Sequence, residues 1–291
     1  MIHYLTRDQL EVAAYDRCIN HALNSRIYAY SWYLDAVADQ WDVLVLNDYE
    51  AVMPLPWRRK YCIQYIYPPA WTQQLGLFST RKITAELLQK FIKTIPSKFK
   101  KITIQFNSDT IFNGKNVTER VNYILPLHPS YKTLESRFTT NRKRDLKKAL
   151  AQGLSVDKEV PFSEFISFYL AESDAYTLRP DALATLERLV AVRPASVLIS
   201  GLRKNDVLIA GLLCLQDDRR ITYLLPVANG QAKNMGLATQ LVTALLAQYS
   251  GQDYVLDFEG SMIDGVAGFY KSFGAEREVY YVFKEGLFEK R

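Results

Sequence analysis

At 291 residues, 48% of them apolar, the chain is long enough for about two domains and a sizeable core, and its net charge of +5 permits an anionic ligand without implying nucleic acid. No apolar run approaches the ~18 residues of a membrane span, and the N-terminal MIHYLTRDQL lacks the apolar stretch of a signal peptide. Cys18, Cys62 and Cys214 have neither disulfide-framework nor zinc spacing, and His3, His21 and His128 are dispersed, so a cytoplasmic protein with no metal is expected.

The first half alternates helices and strands. Asp8–Leu23 has helical spacing of Leu10, Ala13, Ala14, Ile19 and Leu23, and Ser31 suits the cap of a second helix over Trp32–Ala38. Asp42–Leu46, Ala51–Pro56 and Cys62–Ile66 read as strands, the first two a hairpin around Asn47-Asp48-Tyr49-Glu50. Tyr67–Gly76 is a structured loop, since Pro68 and Pro69 exclude a central strand. Thr84–Ile95 is a helix stopped by Pro96, Lys101–Phe106 a strand, and Asn107–Asn116 loop-like.

The second half is longer. Val121–Leu127 reads as a strand, and Ser130 opens a long helical region to about Gln152. That region contains the densest basic run, Thr139–Ala149. Helices follow over Ser163–Ser173 and Asp181–Val192, then Ala195–Leu202 leads to a hairpin of Val207–Leu215 and Ile221–Val227. A polar loop, Ala228–Met235, enters a helix through Thr239, Leu241, Val242, Leu245 and Leu246. Tyr254–Phe258 is a β-rich run with Glu259 and Gly260 at its end. Ser261 and Asp264 have the form of a capping box for a helix through Ile263, Val266, Ala267 and Tyr270, with Gly274 as its left-handed stop.

Two segments look alike. Thr84–Ile95 runs through a polar link into ITIQF, and Thr239–Tyr249 runs likewise into VLDFE. A duplicated domain is inferred, with residues 1–121 as scaffold or acceptor side and 122–291 as donor side.

Hairpin, polar loop, helix, strand, helix, strand is the order of the second half of a GNAT (GCN5-related N-acyltransferase) domain. YLLPVANGQAKNMGLA resembles that family's strand and pyrophosphate loop, YVLDF its next strand, and AGFYKSFGA its helix motif with Tyr and a terminal Phe/Gly pair. The loop departs from the usual Arg/Gln-x-x-Gly-x-Gly/Ala, reading Lys233-Asn-Met-Gly236-Leu-Ala238. Asn141-Arg-Lys-Arg-x-Leu-Lys-Lys-Ala149 followed by GLSV is similar to the opening of the second GNAT-like domain in Fem-type aminoacyltransferases, tandem enzymes that add amino acids from aminoacyl-tRNA to peptidoglycan precursors. Their Phe-Lys-x-x-Phe-Gly pattern differs here, because Tyr270 stands where the lysine is expected. The resemblances imply an α/β (α+β) chain of two tandem GNAT-like domains, each a mixed, largely antiparallel sheet flanked by helices.

They also imply acyl transfer from acetyl-CoA or another acyl-CoA to the amine of a small molecule or peptide. The alternatives are Fem-type transfer from a tRNA, the one reading that brings tRNA in, and a non-catalytic tandem module. Tyr270 reads either as a core tyrosine or as the phenol, of ordinary pKa ≈ 10, that protonates a leaving thiolate. Asp257 and Glu259, two apart on a strand, are expected on one face, with Glu259 the preferred base and Asp257 deeper; the alternative is a capping or salt-bridging role. Val227 ends the strand expected beside pantetheine. Lys233, Asn234, Met235, Gly236, Leu237 and Ala238 are expected to turn N–H groups toward a pyrophosphate, or else to form an ordinary loop. Asn141 and Arg142 head the basic run, which reads as a solvated helix face or an anion site. Trp71 and Gln74 are expected to line an acceptor cleft or to plug a domain junction.

Overall fold

The computed structural model describes residues 1–110, 112, 114, 116–172, 178–260 and 262–286. The chain divides into two units: Met1–Arg120 with Ala184–Val192 and the residues from Val279, and Val121–Leu183 with Arg193–Glu278.

Strand β1 (Ile2–Thr6) comes first, an element not among those expected from the sequence. The expected helix over Asp8–Leu23 is a 3₁₀ turn, Arg7–Gln9, followed by α1 (Val12–His21). The break has a local cause: Gln9 Oε1 accepts the Thr6 N–H at 3.0 Å and closes the short turn on itself. Next come α2 (Ser31–Val37), β2 (Gln40–Leu46), β3 (Ala51–Lys60), β4 (Ile63–Ile66) and the short β5 (Phe78–Ser79). Helix α3 (Ala85–Thr94), capped by Thr84, leads into β6 (Phe99–Phe106).

Strand β7 (Val117–Pro126) precedes α4 (Tyr131–Ser136) and α5 (Thr140–Leu150). The long helical region expected from Ser130 to Gln152 is thus two helices. Thr139 ends the first run because its hydroxyl caps α5 at Arg142 N while its own N–H donates to Ser272 O at 3.0 Å. Then follow β8 (Val156–Asp157), α6 (Phe162–Glu172), α7 (Pro180–Val192), β9 (Val197–Lys204), β10 (Val207–Gln216) and β11 (Arg220–Ala228). The expected loop 228–235 is instead largely helical, α8 (Gly230–Met235): Asn229 Oδ1 accepts the Ala232 N–H at 2.8 Å, and Gly236, at φ 76°, ends it. Gly236 also precedes α9 (Leu237–Tyr249), which runs to β12 (Val255–Asp257), α10 (Asp264–Lys271) and β13 (Glu276–Gly286). Ser261, the expected cap of α10, and Ser173, the expected end of α6, lie outside the described residues. In the described residues Ile263 occupies the cap position of α10, and Gly274 has the left-handed φ of 84° expected of a stop.

Each unit is a mixed, largely antiparallel sheet flanked by helices. In the first, the strand order is β1-β2-β3-β4-β6-β13, and in the second β7-β12-β11-β10-β9-β8. The two repeat one topology. An antiparallel meander (β2-β3-β4 or β9-β10-β11) is followed by a crossover helix (α3 or α9) and a strand parallel to the last of the meander. The strand that follows is exchanged in sequence. β7, next after β6, pairs with β12 in the second unit, and β13, next after β12, pairs with β6 in the first. Apolar faces close the cores: Leu88 and Phe91 of α3 pack on Ile102, Ile104 and Phe106, and Leu241, Val242 and Leu246 of α9 pack with Ile221, Leu256 and Phe258. Each large side chain buried in this way contributes about 1.5–3 kcal/mol.

Candidate active site

The second unit holds the features that the tyrosine, the acids and the 233–238 segment bring. Its centre is the parallel pair β11/β12. The two strands are in register at Arg220–Val255, Ile221–Leu256 and Thr222–Asp257, and there the pairing stops while β11 continues to Ala228. On its other side β11 stays paired with β10 as far as Ala228. From Tyr223 on, no strand among the described residues pairs with the β12 side of β11. The sequence agrees with this open edge. Asn229 N–H donates to Ile209 O at 3.1 Å, so by alternation Pro226 and Ala228 turn their backbone groups away from β10. A proline, which has no N–H, is tolerated at Pro226 because the ladder asks nothing of it there.

At the last rung the Asp257 carboxylate is fully buried and held from three sides. Asn122 Nδ2 donates to it at 2.9 Å, Arg220 Nη1 at 2.6 Å, and the Glu259 N–H at 2.8 Å. Glu278 completes the cluster, 2.8 Å from Asn122 Nδ2 and 3.4 Å from Arg220 Nη2. Burial pulls the Arg220 guanidinium down, but the carboxylates of Asp257 and Glu278 more than offset it and leave it above its ordinary value. Asn122 also accepts from Tyr123 N–H at 2.8 Å and from Gly260 N–H, which pins the turn after β12 to β7. Glu259 and Gly260 both have positive φ, 51° and 40°. Here the expectation of two acids on one strand face is corrected: β12 ends at Asp257, and Glu259 sits in a left-handed turn, so strand alternation does not apply to it. The left-handed conformation is costly for a residue with a side chain, and Asp257 secures it by accepting the Glu259 N–H.

Tyr270 lies on α10 beside this turn. It is 7% exposed, its ring stacks on Phe258 with centroids 4.6 Å apart, and Tyr223 meets it edge-on at 5.8 Å. Tyr223 belongs to the part of β11 that β12 has left, so Tyr270 stands next to the strand opening. Burial, together with the neighbouring Tyr270 and Cys214, pushes the Tyr223 phenol well above its ordinary value. Lys271, next along α10, holds its ammonium 5.4 Å from the centroid of Tyr123.

The 233–238 segment is α8 and the first turn of α9. Lys233, Asn234 and Met235 close α8, and the Gly236 N–H donates to Lys233 O at 3.1 Å. A Cβ on Gly236 would meet the Asp145 carbonyl oxygen at 2.8 Å, so α5 packs directly against this glycine. Leu237 is fully buried, and Leu237 and Ala238 are the first residues of α9, whose N–H groups have no intrahelical acceptor. Val227 is buried on β11, in register with Gly211.

Arg142 departs from the solvated-face reading, being 9% exposed. Its Nε donates to Ser272 Oγ at 2.8 Å, its Nη1 to Thr239 Oγ1 and, at 3.4 Å, to Asp145, and its guanidinium lies 4.4 Å from the centroid of Phe269. It ties α5 to the end of α10 and the start of α9, and burial pulls its pKa below the ordinary value. Asn141, one residue earlier, is exposed. Trp71 and Gln74 belong to the first unit. Trp71, at φ 60°, accepts a bond from Tyr33 through its carbonyl. Gln74 is fully buried and accepts the Ser108 N–H at 3.1 Å, a brace for the loop that carries it.

No sequence motif marks Asn122, Arg220 or Glu278 as a site residue. Arg220 falls in the polar hairpin turn, and Glu278 lies in a strand with no motif of its own. Asn122 did carry a signal, an amide inside the apolar run Val121–Leu127, where a polar residue needs a buried partner.

The architecture is a tandem GNAT-like fold. No protein-family model and no curated protein matches the sequence. Among solved structures, FemX matches with a TM-score of 0.71 at 11% identity, covering 96% of each chain. L-PGS from Bacillus licheniformis matches with a TM-score of 0.55 at 11% identity, over 86% of this chain and 85% of that one. A tandem GNAT protein from the clavulanic acid biosynthesis pathway matches with a TM-score of 0.52 at 10% identity, over 99% of this chain and 100% of that one.

Proposed function

We propose that the chain is an acyltransferase whose second unit takes an acyl group from a thioester, acetyl-CoA or another acyl-CoA, and passes it to the amine of a small molecule or peptide. The observation that carries this reading is the parting of β11 from β12 after Thr222 and Asp257, with Tyr270 beside the gap. An opening between two parallel strands exposes backbone donors and acceptors to an extended, amide-bearing chain such as pantetheine. The GNAT-like fold supports the same reading.

In this reading an amide C–N bond forms and the thioester C–S bond breaks. Glu259, at the strand end, takes the proton from the amine, and Tyr270 gives a proton to the departing thiolate. Asp257 is not offered as the base, because Asn122, Arg220 and the Glu259 N–H already engage it. The residues suit a pantetheine arm along β11. They suit a pyrophosphate less fully, since of the 233–238 segment the first N–H groups of α9, at Leu237 and Ala238, are the ones left without a helical acceptor. Titration calorimetry of the protein with CoA and acetyl-CoA tests the reading. Saturable binding at one site per chain is expected, and no heat with either ligand would sink it.

One observation favours a second reading, Fem-type transfer from an aminoacyl-tRNA to a peptidoglycan precursor. The Gly236 N–H closes α8 and its Cα faces α5, so the turn is built into the protein's own packing. An aminoacyl ester makes no demand on that turn. Binding of aminoacyl-tRNA that weakens steeply with salt, in a protein inert to CoA, would select this reading.

A further inference from the structure

Strands β3 and β4 of the first unit are joined by a two-residue turn, Tyr61-Cys62, between the paired residues Lys60 and Ile63. Both turn residues have positive φ, 49° and 63°. Turns of this kind favour Asn-Gly or Asp-Gly, because only such residues reach the left-handed region cheaply. A tyrosine and a cysteine there are a conformational cost, and strain of this sort points to a use. What the turn gains is display. Tyr61 is 86% exposed, Cys62 is exposed, and Ile63 is 43% exposed.

The surroundings of the tip are basic. Tyr65 pairs with Lys101 across β4 and β6, and Thr103 with Lys284 across β6 and β13. Cross-strand partners and alternate residues share a face, so Lys60, Ile63, Tyr65, Lys101 and Lys284 lie on one side of the sheet. Since β4 and β6 run parallel, the start of β6 and the end of β13 lie at the same end of the sheet as the tip. These residues line a groove of about 700 Å³, together with Lys100, and Glu285 is the one acid among its described lining residues.

We propose that this end of the first unit docks on an anionic lipid bilayer, with Tyr61 and Ile63 entering the headgroup layer and Lys60, Lys100, Lys101 and Lys284 meeting lipid phosphates. The mixture decides the partner. A tyrosine carries an apolar ring and a polar tip suited to a membrane interface, and the aliphatic Ile63 has a place in lipid and none against a nucleotide base. A second copy of the chain would set lysine against lysine across a two-fold axis. Among the described residues no helix is long and apolar enough to cross a membrane.

Flotation of the full chain with phosphatidylcholine vesicles, with and without phosphatidylglycerol, tests this. Capture by the anionic vesicles alone is expected, lost near 1 M salt, where the Debye length is about 3 Å. Lys101→Gln and Lys284→Gln should each weaken capture about fivefold, the usual share of one basic residue at an anionic membrane surface. Replacing the turn by Tyr61→Asn with Cys62→Gly should raise the thermal midpoint while weakening capture, a pair of opposite changes that misfolding cannot produce. The proposal is overturned if anionic vesicles fail to float the protein, if the Asn-Gly variant floats as well as the parent, or if a homopolymeric RNA binds through these lysines and vesicles do not.

Discussion

Arg220 Nη1 lies 2.6 Å from Asp257 Oδ2 at the point where β11 and β12 cease to pair. The carboxylate is fully buried and the guanidinium nearly so, which makes the pair part of what holds the opening in shape. Removing one member of such a pair leaves the other charge uncompensated, at a cost of about 3–5 kcal/mol. Asp257→Asn keeps the side-chain shape, and Glu278 stays beside Arg220, so a loss near about 3 kcal/mol is expected. Urea unfolding checks it. A variant as stable as the parent but slow in transfer would instead return Asp257 to the role of base.

Arg142 and Lys143 are neighbours on α5 with different duties. Arg142 is buried against Phe269, Ser272 and Thr239, whereas Lys143 is exposed. Bonds from a charged donor contribute about 1.5–3 kcal/mol, so Arg142→Met is expected to cost about that much. Lys143→Met should stay within about 0.5 kcal/mol, as exposed substitutions do. Thermal unfolding of the two variants separates a structural arginine from an anion-binding one. Full stability in Arg142→Met together with weakened anion binding would favour the anion site.

Periodicity made the repeated elements legible. The apolar runs Val207–Leu215 and Ile221–Val227, and the helices entering ITIQF and VLDFE, correspond to β10, β11, α3 and α9. Boundaries set by side-chain bonds were less visible. Thr139 reads as one more helical residue until Ser272 is placed beside it, and Asn229 reads as loop until its amide oxygen is seen capping α8. The buried cluster was the least legible part. Asn122, Arg220, Asp257 and Glu278 come from four strands, β7, β11, β12 and β13, and pairing order, which no local pattern encodes, brings them together. Arg142 shows the same limit in reverse: a residue in a basic run looks solvated until the helix face it occupies is known.

The three thiols should differ sharply in reactivity. Burial pushes Cys18 up to about 11 and Cys214 higher still, and both are enclosed, whereas Cys62 is exposed at the β3–β4 turn. The thiolate is the reactive form, and a raised pKa removes it near neutral pH. A disulfide exchange reagent at about pH 8, below the ordinary thiol value of ≈ 8.5, is therefore expected to titrate one thiol quickly in the native protein and all three after unfolding. Cys62→Ser should abolish the fast phase. A fast phase that survives this change would mean that the environment of Cys18 or Cys214 opens in the native state.

Tyr270 is the sharpest test of the proposed chemistry, because substitution can remove its hydroxyl and leave its ring in place. The ring stacks on Phe258 and meets Tyr223 edge-on, so its removal in Tyr270→Ala should cost about 3–5 kcal/mol, as for other large aromatic truncations. Tyr270→Phe keeps that packing and deletes only the hydroxyl. With an acyl-CoA donor the transfer rate should fall by ~10²–10⁴, the usual worth of general acid–base help, with little change in donor affinity. With an aminoacyl-tRNA donor the leaving group is a ribose oxygen beside phosphates, and the cation at Lys271 matters more. Its ammonium lies over the Tyr123 ring, on the same helix as Tyr270. Lys271→Met would then be the damaging change. Single-turnover transfer with each donor distinguishes the two, and unchanged circular dichroism and melting for Tyr270→Phe would exclude a folding effect. Full activity of that variant with acyl-CoA would leave Tyr270 as a packing residue and require another source for the thiolate's proton.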